Sequence, residues 1–174
     1  MTDTAFAHSG DDAATERRPR ALDTILYGGL VVGILDGLFA LIFYGLILGA
    51  KPLRIFQSVA SGLLGRESSF AGGVPTFLLG ILLHFIVATC IAAVYYLISL
   101  GLPVLIRHAV VSGLIYGLIA YLVMNYVVIP LSAIGSRPSF SLRTFLPAFI
   151  AHAFLVGLPI ALLARRSARM NQRN

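Results

Sequence analysis

Charge is what this chain has least of. Only 11% of its 174 residues are charged while 58% are hydrophobic, against about 25% charged in soluble domains. A soluble fold of this size could not cover so much apolar surface. Cysteine is nearly absent too: Cys90 stands alone, inside an apolar run. No intrachain disulfide can form, and the residue is expected to be a small packing group. There is no phosphate-cradling glycine loop, no HExxH and no paired carboxylates, and no histidine accompanies Ser58, Ser61, Ser68 or Ser69 to activate them. Hydrolase and transferase chemistry therefore lacks its parts, and a non-enzymatic role is expected. Residues 1–21 lack the apolar core and small-residue cleavage site of a secretory signal. They read as a disordered cytoplasmic tail, with Leu22 onward acting as an uncleaved signal anchor.

The charges present are unevenly placed. No Asp, Glu, Lys or Arg lies between Glu67 and Arg107, between Arg107 and Arg137, or between Arg143 and Arg165, and Asp36 is the only one between Asp23 and Lys51. Each gap exceeds the roughly 20 residues that a helix rising 1.5 Å per residue needs to cross a 30 Å hydrocarbon core. Backbone groups in hydrocarbon must bond within their own segment, and the alternating pattern of a closed barrel is missing. The sequence thus predicts an all-α membrane protein: four transmembrane helices near 24–49, 74–98, 105–131 and 143–164 in one domain over 22–166, then a basic cytoplasmic tail at 167–174.

The net charge of +6 sits at segment ends rather than along a face interleaved with aromatics. It predicts contact with lipid headgroups and excludes a nucleic-acid partner. Arg17, Arg18, Arg20, Arg107, Arg165, Arg166, Arg169 and Arg173 fall on one side of the spans, while Lys51, Arg54, Arg66, Arg137 and Arg143 fall on the other. The excess predicts that both termini are cytoplasmic.

The first external connection, KPLRIFQSVASGLLG, has a pattern of its own. Pro52 suits a first helical position and Gly65 a C-terminal cap, while Leu53, Phe56, Val59, Ala60, Leu63 and Leu64 share a face. About 13 residues are too few to span, so the segment predicts a short amphipathic helix on the outer interface or a shallow re-entrant piece. Arg54, Gln57 and Ser61 form its polar face, with Arg54 and Gln57 as candidate outer-interface contacts.

Small residues recur at helical spacing: Gly29, Gly33 and Gly37 in the first span, Gly80, Ala88 and Ala92 in the second, Gly113, Gly117 and Ala120 in the third. Such stripes let helix backbones approach closely, within one chain or in a homo-oligomer. The stretch Gly33-Ile-Leu-Asp-Gly37 parallels Gly113-Leu-Ile-Tyr-Gly117, and His84 in the second span has a counterpart in His152 of the fourth, as in a parallel two-helix repeat. These glycines, together with Gly80 ahead of His84-Phe85, Met124-Asn125 leading to Pro130-Leu131, and His152 ahead of the terminal arginines, give a pattern that resembles the YagU-like proteins of the bacterial inner membrane over roughly residues 25–168. The resemblance implies a four-helix membrane fold and localisation in that membrane, and brings no established activity. The first external loop departs from it by being shorter.

Asp36 is the most informative residue. A carboxylate near a bilayer centre costs about 2.5–3.5 kcal/mol on insertion scales, so it should face the bundle interior. His84 and His152 each lie about 14–15 Å below the outer start of their spans, Asp36 about 18 Å above its inner start, and Asn125 nearer the outer surface. The depths predict one polar intramembrane cluster of Asp36, His84 and His152 with Asn125 at its outer rim. Four chemistries stay open at this point: a proton or small-cation site, two histidines ligating haem b, a transition metal on His84, His152 and Asp36, or a polar packing network. The first is the leading expectation, a haem or metal protein in electron transfer the alternative, and no cofactor is required.

Overall fold

The computed structural model describes residues 19–136 and 140–171. Most of the tail expected at 1–21, Arg17, Arg18, Arg137 and Arg173 lie outside the described residues. Among the described residues, four helices are long and apolar enough to cross a membrane: α1 (Asp23–Ile47), α4 (Gly73–Gly101), α6 (Ala109–Leu131) and α7 (Leu142–Asn171). Short helices α2 (Pro52–Leu64) and α3 (Arg66–Ala71) join α1 to α4, and α5 (Val104–Arg107) precedes α6. The chain is an all-α, multi-pass membrane protein. Leu30, Ile34, Leu38 and Ile42 on α1, and Leu78, Leu82 and Ile86 on α4, point outward. These apolar stripes at four-residue spacing suit a lipid surround. Cys90 is exposed on α4, so the packing role expected for it gives way to a place on the outer face.

Glycine sets which helices meet. A Cβ on Gly29 would lie 2.7 Å from Thr89 Cα, and one on Gly33 would enter the Phe85 ring, so α1 lies directly on α4. On the other side of the bundle Gly113 and Gly117 face Gly157 and the His152 carbonyl, so α6 lies directly on α7. The internal similarity of the sequence thus has a structural counterpart: in each pair, a Gly-x3-Gly stripe faces the histidine-bearing helix that follows. These glycines meet helices of the same chain. The half of the bundle nearer the termini is filled by small and branched residues, among them Val32, Ala92, Ala109, Ile160 and Ala164. Tyr116 closes it by donating to the Ile91 carbonyl at 2.6 Å, its ring 5.0 Å from that of Tyr95.

Helix α7 does not stop at the arginines. Ser167 and Ala168 are buried, and Ser167 Oγ lies 3.2 Å from Thr24 Oγ1 while accepting from the Arg20 backbone N–H. The described part of the expected basic tail is therefore helix packed on the start of α1.

Helix α2 forms as its caps predict, with Pro52 at the start and Gly65 at φ +76, a backbone that favours glycine. Its orientation departs from the expectation in part: Phe56 and Ala60 are buried and Arg54 is exposed, as the pattern suggests, but two residues of the expected polar face turn inward. Gln57 and Ser61 are fully buried, and Leu63 and Leu64 are exposed. Gln57 Nε2 donates to the Gly73 carbonyl at 3.0 Å and to Thr76 Oγ1 at 3.1 Å, and Thr76 donates on to the Ser69 carbonyl at 2.7 Å. Gln57 is thus a contact between helices and not an outer-interface group. The physical reason is that an outer surface facing lipid rewards apolar residues, whereas polar groups must find partners on neighbouring helices. Gly80 makes the approach possible, since a Cβ there would overlap the Phe56 carbonyl.

Candidate intramembrane polar site

Cavities lie at both ends of the bundle: some beside the arginines of α7, others in the half capped by α2, where the polar residues expected to cluster are found. Asp36, Ala40 and Tyr44 recur every four residues along α1 and line one side of a cavity of about 380 Å³, with His84 of α4 and Arg54, Phe56 and Ser58 of α2 around the rest. Tyr44 also lines a second cavity of about 270 Å³ with Tyr121, Asn125 and Thr144. His152 stands between the two sets. Its Nδ1 lies 4.0 Å from Asp36 Oδ1 and its ring 5.0 Å from that of Tyr121.

The hydrogen bonds fix ring protons. His84 Nε2 is 2.9 Å from the Gly33 carbonyl, so it carries the proton and donates across the α1–α4 contact. His152 Nδ1 is 2.9 Å from the Ala148 carbonyl one turn earlier and donates there. In the neutral rings, that leaves His84 Nδ1 and His152 Nε2 as acceptors. Asn125 Nδ2 donates at 2.9 Å to the Tyr121 carbonyl of its own helix. The structure therefore brings Asp36 together with His84 in one cavity and with His152 by direct approach. Asn125 lines the neighbouring cavity, reached past Tyr44, and Arg54 lines the Asp36 cavity.

Three of these residues occupy unusual backbone. Tyr44, Asn125 and His152 each lie in a π-helical turn, at Leu41–Ile47, Met124–Val128 and His152–Gly157. Two of the turns come just before prolines, Pro130 and Pro159. A proline lacks its N–H and crowds the carbonyl four residues back, and a widened turn relieves both. Such turns are rare and often mark functional sites.

A backbone carbonyl on one ring nitrogen, as at His152, is how metal-ligating histidines are oriented. Among the described residues, however, no three His, Cys, Asp or Glu side chains converge as a metal would require. No known family model, curated protein or solved structure matches the chain.

Sequence reasoning missed Tyr44, which lines both cavities, and Tyr121, which lines the second beside His152. The signal for Tyr44 was its position eight residues beyond Asp36, two helical steps along the same face. Tyr121 stands four residues before Asn125 and had the same kind of signal.

Proposed function

We propose that this protein handles protons or a small cation through Asp36 and His152, in the bacterial inner membrane with both termini cytoplasmic. The arginine bias between the two sides of the spans and the resemblance to YagU-like proteins support the location. The observation that carries the chemistry is the 4.0 Å approach of His152 Nδ1 to Asp36 Oδ1 beside a cavity of about 380 Å³. The other titratable or charged groups facing Asp36 around that cavity are His84, Tyr44 and Arg54.

The relay follows from the ring protons. His152 holds a proton on Nδ1 and has Nε2 open, so a proton arriving at Nε2 makes the imidazolium. The Nδ1 proton, now acidic, passes to Asp36 once the ring closes from 4.0 Å to the roughly 2.7–2.9 Å of a charge-assisted hydrogen bond. Loss of that proton leaves a neutral ring of the other tautomer, and Asp36 holds the proton until the cavity takes it. His84, tied to Gly33, keeps α4 against α1 so that the carboxyl stays aimed at the cavity.

The test is proton flux into liposomes containing the purified protein, driven by a potassium potential and read by an enclosed pH dye. Wild type should exceed empty liposomes, and Asp36→Asn and His152→Gln should fall to the empty level. Flux that survives Asp36→Asn, or wild type no faster than empty liposomes, would sink the proposal.

A further inference from the structure

The polar cavity does not stand alone beneath α2. A second space of about 380 Å³ is lined by Leu63, Leu83, Val87, Met124, Val128 and Ile129, and Ser58 and Val59 line both spaces. Arg54, Ser58, Val59 and Gly62 fall on one side of α2 at successive helical steps, so the two spaces follow one another along the same helix face. One end of this trough is charged and the other is apolar.

The apolar end opens towards lipid. It lies between α4, which supplies Leu83 and Val87, and α6, which supplies Met124, Val128 and Ile129. Val128 at 41% exposure and Leu63 at 60% form its outward edge. Further towards the termini, the Tyr116 bond to the Ile91 carbonyl joins the same two helices and ends the gap.

The charged end carries both signs. Asp36 and Arg54 line it together, and the Arg54 guanidinium lies 4.9 Å over the Phe70 ring, which aligns it without neutralising it. A monocation would meet Arg54 and a monoanion would meet Asp36. A zwitterion satisfies both, and a single chain is what one apolar groove can take. We propose that the trough beneath α2 binds a zwitterionic single-chain lipid of the lysophosphatidylethanolamine kind. Its phosphate lies on Arg54, its ammonium points to Asp36, and its acyl chain enters between α4 and α6. This rests on the proton reading only in requiring that Asp36 be charged while the amine is bound.

The experiment is native mass spectrometry of the full-length protein in dodecylmaltoside, titrated separately with lysophosphatidylethanolamine, lysophosphatidylglycerol and dodecylamine. The zwitterion should bind roughly tenfold or more tighter than either singly charged probe, the size expected of one lost charge-assisted contact. Arg54→Gln and Asp36→Asn should each remove that preference. Val87→Trp, which fills the groove, should abolish binding, whereas Leu82→Trp on the lipid-facing side of α4 should not. Equal binding of all three probes, a preference for either singly charged one, retention by Val87→Trp, or no binding at all would overturn the proposal. Bound lipid without proton flux in wild type would sink the relay alone, and flux without bound lipid would sink this inference alone.

Discussion

His84 donates its Nε2 proton to the Gly33 carbonyl across the α1–α4 contact, at 2.9 Å. An added Cβ on Gly37, one turn along, would lie 3.3 Å from the same nitrogen. The glycine stripe is therefore what lets an imidazole lie flat against a helix backbone. The Gly33 carbonyl also has its own helical partner, so losing the imidazole removes one bond without orphaning a buried acceptor. His84→Leu should cost about 0.5–1.5 kcal/mol in unfolding measured in mixed micelles. A cost several times larger would mean that the ring does more than join the two helices.

The second glycine contact should be less forgiving. A Cβ on Gly117 would lie 2.7 Å from Ala153 Cα and overlap the His152 carbonyl, both backbone atoms that cannot turn aside. Gly117→Leu should therefore lower stability by about 1–3 kcal/mol or more, as overpacking does. Ile119→Phe, at a position 50% exposed on the same helix, should stay near wild type. Thermal unfolding of both variants in one detergent makes the comparison, and similar tolerance would contradict the close α6–α7 contact.

Cysteine substitutions along α2 should label in a pattern set by its observed rotation. Positions 54, 58 and 63 should react with a membrane-permeant thiol reagent, while 57, 60 and 61 should be protected. Gln57→Leu should destabilise by about 1–3 kcal/mol, because Thr76 and the Gly73 carbonyl lose a buried partner. Uniform labelling, or a neutral Gln57→Leu, would return α2 to a loosely held surface helix.

That rotation marks where the sequence could and could not be read. The four spans were legible because membrane thickness demands long runs with little charge, and the stretches after Asp23, Glu67, Arg107 and Arg143 supply them, the first broken only by Asp36. The glycine stripes were legible as contacts because close approach between helices in lipid needs small residues. The face of α2 was legible only in part: Phe56 and Ala60 turn inward with their stripe, but so do Gln57 and Ser61 from the expected polar face. Here both the core and the surroundings are apolar, so the few polar groups, Gln57 and Ser61, decide which side turns inward. Helix ends were hidden for a related reason: the arginines after Ala164 look like a stop, yet Ser167 and Thr24 find each other beyond them. At the site, depth placed Asp36 near the histidines, but depth carries no azimuth. It could not tell that Asn125 would line a neighbouring cavity or that Tyr44 would stand between the two.

Asp36 itself gives the sharpest contrast between structure and chemistry. It is 23% exposed in its side chain, lines a cavity, and has His152 at 4.0 Å. Replacing it with Asn keeps size and hydrogen-bonding capacity, so the cavity wall and the approach of His152 should survive. Replacing it with Leu takes the carboxyl away from His152 and turns an alkyl chain toward the Tyr44 hydroxyl and the Arg54 guanidinium, which line the same polar space. Leaving such groups unpaired costs about 1–3 kcal/mol, whereas the amide avoids most of that. Against this, Leu relieves the roughly 2.5–3.5 kcal/mol that a mid-membrane carboxylate costs on insertion. The two terms nearly offset, so Asp36→Asn should fold at least as well as wild type, and Asp36→Leu should be no more stable than Asp36→Asn. Proton flux should be lost in both, since neither side chain accepts and releases a proton. Unfolding and flux measured on the same three preparations separate the outcomes. Flux that survives in the Asn variant would remove the relay, and an Asp36→Leu protein clearly more stable than Asp36→Asn would mean that no polar neighbour depends on the carboxyl.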